Sequence, residues 1–417
     1  MRKNEIAAAS DLRPLAGIRI VDMSTVLMGP LATQLLGDYG ADVIKVEPPE
    51  GDVARQAGTG RSLSMGSLYM AAGRNKRSVV LDIKQAQGKQ ALLDLCRGAD
   101  IFIHNVRPQA MSRAGLGYEQ LREINPSIIY LSLVGFGDGG RYANRPAFDD
   151  IIQGAAGIAG LFLRSGQPQP LFIPWNVADR ITGVTAVHAA LAALILRGRT
   201  GQGQAVEIPM YETVVQMVLG DHLAGLSFEP VQGGGGYARL LAPGRKPYPT
   251  SDGFIILTPY NDKQFLALFD ALGRAEEMST NPILGSMAMR QRHWPEIYAL
   301  LSKAFVARPS AEWVEVLTEA QIPCTPVRSI DDLLTDPHLQ DVGFFEESDH
   351  PSEGRIRQMR PSTRWSTADV SIRRHPPLIG EQSIEVLKEL GYDEARIASL
   401  LESGATRDGR VAEARPA

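Results

Sequence analysis

Asp179 is the residue whose position in this chain best suits chemistry. It precedes Ile181-Thr182-Gly183 and opens onto the most apolar helix pattern of the sequence, Val184 to Leu196, which stops at Arg197-Gly198-Arg199. A carboxylate at a helix start has two uses. It can cap the helix, because a short acidic side chain satisfies the free amides of the first turn. It can also serve as a nucleophile. The helix dipole and the free amides favour an ionised, aimed carboxylate, which is the form covalent catalysis by Asp requires. On position alone the cap is the stronger reading.

Other short patterns carry less. Gly135-Phe136-Gly137-Asp138-Gly139-Gly140 matches a dinucleotide fingerprint and follows a strand pattern, but Arg141-Tyr142-Ala143-Asn144-Arg145-Pro146 comes next. That stretch does not open a helix, and pyrophosphate binding needs the helix N-terminus. A plain glycine loop is the better reading. The seven histidines are scattered, and there is no Walker loop and no G-x-S-x-G. No His or Cys pair stands at ligand spacing, so neither a metal site nor a Cys–His nucleophile is expected.

The elements that must position Asp179 follow from periodicity. Residues 18–21, 41–46, 78–83, 100–104 and 128–134 read as strands, and helix patterns fill 29–39, 85–97 and 118–124. This alternation predicts an α/β fold with a parallel sheet covered by helices. Residues 150–217 read as mainly helical, with one short strand at 205–208. The run Pro230-Val231-Gln232-Gly233-Gly234-Gly235-Gly236 cannot hold a regular element, since ordering four glycines costs too much backbone entropy. A hairpin follows at 248–258, turning at Ser251-Asp252-Gly253, and helices continue to about residue 320. The predicted organisation is a large domain over 1–225, a small domain over 226–328, a return to the large domain over 329–403, and a flexible tail over 404–417.

Composition narrows the class. The 417 residues include 43 basic and 47 acidic side chains, for a net charge of −4. That balance argues against a nucleic-acid partner, which selects a basic surface. Two cysteines, Cys96 and Cys324, form no disulfide framework and fit a reducing compartment. The 13 residues from Val184 to Leu196 fall short of the about 20 needed to span a bilayer, so a buried helix is expected. The N-terminal stretch lacks the apolar centre of a signal peptide. A soluble, cytoplasmic protein without a membrane partner is the expectation.

Longer blocks point to one family. Gly17-Ile18-Arg19-Ile20-Val21-Asp22-Met23, Met28-Gly29-Pro30 and Gly40-Ala41-Asp42-Val43-Ile44-Lys45-Val46-Glu47-Pro48-Pro49-Glu50-Gly51-Asp52 resemble the family III coenzyme A transferases. So do Asn75 to Asp82, Ala178-Asp179-Arg180-Ile181-Thr182-Gly183, Arg199 to Gln204, and His375 to Glu381. The resemblance runs over roughly residues 14–403 and includes the related alpha-methylacyl-CoA racemases.

The resemblance implies an interlocked homodimer. Each chain would have a large Rossmann-like domain built from both chain ends and a smaller α+β domain inserted between them. It implies transfer of CoA from an acyl-CoA to an acceptor carboxylic acid, with Asp179 as nucleophile and Asp149 as a nearby acidic residue. The substrate would be coenzyme A or an acyl-CoA, with no permanently bound cofactor. Val26, Leu27, Met28, Leu81, Lys84, Asn105, Val106 and Arg113 would bind CoA. Gly234 and Gly235 would belong to a glycine lid, and Gly29, Gly51 and Gly183 would form turns around the thioester. Pro48 replaces a CoA-contacting Arg of formyl-CoA transferase, and Leu27 replaces a Gln beside the acyl site. Both departures argue against formyl-CoA and oxalate. Arg141, Arg145 and Arg180 are candidates to recognise a second carboxylate.

Two alternatives are an acyl-CoA racemase and a non-catalytic CoA-ester binding protein. The racemases pair the Asp with a His, where this chain reads Ala147-Phe148-Asp149. A phenyl ring transfers no proton, and racemisation needs two positioned acid–base groups. A helix cap would retain an Asp at 179 whether or not the protein were catalytic, so the silent binder stays open.

Overall fold

A computed structural model describes residues 11–410. Its centre is a six-stranded parallel sheet formed by β1 (Arg19–Asp22), β2 (Asp42–Glu47), β3 (Lys76–Val80), β4 (Ile101–His104), β5 (Ile129–Val134) and β6 (Gln204–Pro209). The spatial order is β3-β2-β1-β4-β5-β6, and every neighbouring pair is parallel. Strands β3, β4 and β5 are buried at every position, as expected for a sheet covered on both faces. The order reverses between β1 and β4. In open α/β sheets that point leaves a crevice outside the strand ends, where ligands bind.

β3 begins with two charges that the core has to neutralise. Lys76 is buried and its ammonium reaches Asp22 at 3.1 Å and the carbonyl of Pro30 at 2.8 Å. Arg77 pairs with Asp42, Glu385 and Glu389. The last two lie on the helix Ser383–Glu389, so the ion pairs tie the chain's end back to the sheet. The apolar side of that return is Val386, Leu387, Ile397 and Leu400, packed in one core with Val79, Leu92 and Phe102.

By internal contacts the chain divides into two compact units. One comprises residues 1–156, 174–215 and 343–417, and the other 157–173 and 216–342. These boundaries differ from the expected ones at 226 and 328, and they assign the short stretch 157–173 to the second unit. That unit carries a three-stranded antiparallel sheet of β7 (Tyr248–Pro249), β8 (Phe254–Leu257) and β9 (Cys324–Pro326). Its core contains Phe265, Phe269, Ile297, Trp313 and Leu317.

Several expectations need correction. Within the expected tail, Gly404–Arg410 is held in place: the Thr406 hydroxyl donates to the carbonyl of Val80 at 2.7 Å, and Ala405 is buried. Residues 411–417, and the N-terminal stretch 1–10, lie outside the described residues. The hairpin β10 (Phe345–His350) and β11 (Gly354–Met359) had no apolar signal, because its strands are largely exposed and cross-paired by charge, as between Glu347 and Arg355.

The apolar helix is also not simply buried. It spans Val177–Thr200, long and apolar enough to cross a membrane by length and composition, and it is the one such helix among the described residues. Ala178, Thr182, Gly183, Ala186, Ala190 and Ala193 make its buried side, while Val184, Ile195 and Leu196 are exposed.

Candidate active site

A cavity of about 670 Å³ opens at the switch point. This is within the usual size of small-molecule sites, roughly 300–1,000 Å³. Thr25, Val26 and Met28 line it from the loop after β1, and Asn105, Arg107 and Arg113 from the segment after β4. Asn105 ties the two loops together. Its side-chain oxygen accepts from the Thr25 amide at 2.9 Å, and its side-chain nitrogen donates to the Thr25 carbonyl at 2.8 Å.

The Val26 backbone is strained. Its φ of +68° is the left-handed region, which a β-branched residue occupies at a cost of about 1–3 kcal/mol. The conformation is held from behind. The Val26 amide donates to Asp52 at 3.0 Å, and the other Asp52 oxygen accepts from Lys45 at 2.8 Å. Lys45 also donates to the carbonyl of Ser24 at 2.8 Å. Asp52 and Lys45 are each 1% exposed at the side chain, so the contact is a desolvated ion pair. Gly51, at φ +78°, makes the turn that delivers Asp52. The expected turns at Gly29 and Gly183 are instead helical positions.

Gly29 and Gly183 each permit a close approach: of the Ser24 side chain to Gly29, and of a backbone carbonyl to Gly183. Gly29 is the second residue of α1 (Met28–Asp38), and a Cβ there would lie 2.3 Å from Ser24. A Cβ on Gly183 would lie 2.7 Å from the carbonyl oxygen of Met28. The long helix therefore crosses α1 with almost no gap, which sets its first turn beside the Val26–Met28 loop.

Asp179 sits in that first turn and lines the cavity. It is not the cap: Asn176 is the capping position, and Asp179 is the third residue of the helix. The first-turn amide is satisfied from elsewhere, since the Asp149 carboxylate accepts the Asp179 N–H at 3.0 Å. The other Asp149 oxygen accepts from Gln153 at 2.7 Å. Burial, with Asp149 adding to it and Arg180 opposing, pushes the Asp179 carboxyl up to about 7. This differs from the expectation of a firmly ionised carboxylate. Desolvation and a like charge outweigh the helix N-terminus.

The structure brings together Asp179, Val26, Met28, Asn105 and Arg113 around the cavity, with Asp149 directly behind. It does not bring Leu81 or Leu27 to the cavity wall, because both are buried in the interior. Lys84 is exposed and Val106 half-buried, neither on the wall. Gly234 and Gly235 belong to the second unit. Their loop is tied within it: the Gly236 amide donates to the His222 carbonyl at 2.7 Å, and Arg164 donates to the Gly235 carbonyl. Arg145 lines the cavity; Arg141 and Arg180 do not.

Arg107, Gln109, Ser112, Asn144 and Glu207 line the cavity without having been singled out in the sequence. Arg107 precedes Pro108, the first residue of a short helix directly after β4, and that spacing was the available signal. The Gly135–Gly140 loop is excluded as a phosphate cradle. Its Gly137 amide donates to Glu212 at 3.1 Å and its Asp138 amide to Glu207 at 2.9 Å, so carboxylates already occupy the donors. His104 is buried against Phe102 and Tyr130, and burial pushes its imidazole down to about 4. It is a neutral core residue. No group of three or more His, Cys, Asp or Glu side chains is placed to hold a metal among the described residues.

Comparison with known proteins places the chain in a family. The sequence profile of CoA-transferase family III matches residues 15–383. The human succinyl-CoA:glutarate CoA-transferase is 30% identical over 402 residues, covering 95% of this chain and 90% of the relative. An Escherichia coli formyl-CoA:oxalate CoA-transferase is 31% identical over 417 residues, covering 94% and 99%. The crystal structure of a CAIB/BAIF family protein from Brucella suis superposes with a TM-score of 0.77 at 30% identity, covering 91% of this chain and 100% of that one. The chain belongs to CoA-transferase family III.

Proposed function

We propose that the protein moves CoA between two carboxylic acids by covalent catalysis on Asp179. The observation that carries the reading is the placement of the Asp179 carboxyl. It makes no hydrogen bond among the described residues, lies on the wall of a cavity at the switch point, and is desolvated. An uncapped carboxylate of raised basicity suits attack on a carbonyl carbon.

In the proposed cycle an Asp179 oxygen attacks the thioester carbonyl, the C–S bond breaks, and CoA leaves as thiolate. The thiolate then attacks the Asp179 carboxyl carbon of the mixed anhydride. That step forms an aspartyl-CoA thioester and expels the first carboxylate. An acceptor carboxylate attacks the same carbon, forms a second anhydride and releases the thiolate. Finally the thiolate attacks the acceptor's acyl carbon and frees Asp179. Each intermediate retains the activation of the thioester, so positioning supplies much of the rate. Arg107, Arg113 and Arg145 on the cavity wall suit the phosphates of CoA or a substrate carboxylate.

Several finer features are proposed with it. The chain is a homodimer, a reading supported by the exposed apolar face of the helix Val177–Thr200 at Val184, Ile195 and Leu196. The small domain is an insertion in the large one, and Gly233–Gly236 acts as a lid that shields the anhydrides from water. No resident cofactor takes part. A cytoplasmic location is supported by two cysteines without a disulfide. The acids are suggested by relatives named for succinyl-CoA, glutarate and oxalate, and Pro48, where formyl-CoA transferase has an Arg, favours acids other than oxalate.

The test is chemical trapping. Enzyme incubated with succinyl-CoA and treated with borohydride or hydroxylamine should carry its modification at Asp179, read by peptide mass spectrometry. Full CoA transfer by an Asp179→Ala protein would sink the mechanism. Exchange of the acyl α-proton without CoA transfer would favour the racemase.

A further inference from the structure

The second unit contains its own cavity, of about 220 Å³, made entirely from residues of that unit. Its wall is aromatic: Trp294 stacks on Tyr298 with ring centroids 5.5 Å apart, and Phe265 lies 6.4 Å from Trp294. Three cations, Arg239, Arg245 and Lys246, line the same cavity. None of them makes an ion pair or a side-chain hydrogen bond to a protein group among the described residues. The Arg239 guanidinium stands over the Trp294 ring at 5.1 Å.

Two buried donors in this cavity wall are unused. The Trp294 indole N–H and the Arg239 Nε–H have no acceptor, although Trp294 is only 7% exposed. Both atoms are shielded from the open space, so the attraction for a ligand comes from the charges of the three cations and the aromatic wall. Cations without an ion-pair partner favour an anionic ligand. The aromatic wall is a surface that a fully hydrated inorganic anion would leave uncovered. The volume is below the usual range for drug-sized ligands, which excludes a whole CoA thioester.

We propose that this cavity is an accessory binding site for a small carboxylate with an apolar or aromatic body, seated on Trp294 and Tyr298 with its carboxylate at Arg239. The site is independent of the chemistry proposed for Asp179.

The test is calorimetric titration of the full chain with phenylacetate, and with phenylacetamide as its neutral counterpart. Phenylacetate should bind saturably and the amide about tenfold more weakly or worse, as expected for loss of a charge-assisted contact. Arg239→Gln should weaken phenylacetate by about tenfold, and saturating CoA should leave it bound. The exposed Arg245→Gln, which disturbs no packing, should weaken it to a lesser degree and covers the case of a misfolded Arg239→Gln. Absence of saturable phenylacetate binding, equal binding of the amide, displacement by CoA, or unchanged affinity in both arginine variants would each overturn the site.

Discussion

The Asp149 carboxylate accepts the backbone N–H of Asp179 at 3.0 Å, so the helix turn that carries the proposed nucleophile is capped by a second acid. Two consequences follow. The Asp179 side chain is released from capping duty, and it acquires a negative neighbour that adds to burial in raising its carboxyl to about 7.

The acylation rate should therefore rise with pH through about 7, because only the ionised form attacks. Single-turnover release of CoA thiolate, followed across pH 5 to 9, reads the limb directly. Asp149→Asn keeps an oxygen for the Asp179 amide but removes the charge, so the limb should move to lower pH by up to about one unit. A limb that stays in place would remove Asp149 as a cause.

The same shift governs stability. Between the ordinary value of 3.8 and the folded value of about 7, the folded chain binds a proton that the unfolded chain does not. Stability contributed by this group therefore falls as pH rises across that window. Asp179→Asn removes the buried charge, so at pH 8 it should stabilise the fold by on the order of 2 kcal/mol while abolishing transfer. Denaturant melts at pH 5 and pH 8 check this: the gain should be clearly larger at pH 8 than at pH 5.

Val26 is held in its strained backbone by Asp52, which is held in turn by Lys45. Replacing Lys45 by Met leaves Asp52 buried without its cation and should cost about 3–5 kcal/mol. Where the variant still folds, at low temperature, its KM for acyl-CoA should rise, since the Val26–Met28 loop loses its support. An unchanged KM in folded protein would separate the ion pair from the site.

Gly183→Ala tests how the long helix is seated. The added methyl meets the carbonyl oxygen of Met28 at 2.7 Å, and overpacking of this kind costs about 1–3 kcal/mol. The helix should back away from α1 one turn after Asp179, lowering kcat more than stability. Gly198→Ala, on the same helix with open space at its Cβ, should be harmless. Paired kcat and melting measurements on the two variants decide the matter.

Acid should unfold the protein through the core beneath the loop. Asp22 is fully buried, and Lys76 and Lys45 outweigh that burial to hold its carboxyl down to about 2. Glu47 is likewise buried and held to about 2 by Arg55 and Lys45. Both groups contribute stability above their unfolded values, and that contribution is lost as pH falls from about 5 toward 2. Circular dichroism titration should show the loss in that window, and Asp22→Asn should shrink it.

The sequence alone determined the parallel sheet, the helix behind Asp179 and the glycine segment at 233–236. These are local matters: strand and helix periods and glycine's backbone freedom are written in neighbouring residues. Even the rejection of Gly135–Gly140 as a phosphate loop was legible, because no helix pattern follows it. The tertiary structure decided the rest. That Asp149 caps the helix from 30 residues away, that Asp52 holds Val26, and that Glu207 and Glu212 fill the glycine loop are contacts between distant segments with no shared period. The charge state of Asp179 is the clearest case. A helix start predicts an easily ionised carboxylate, while burial and Asp149 push the other way. Which effect wins depends on solvent exclusion and a neighbour's charge, and both exist only once the chain has folded.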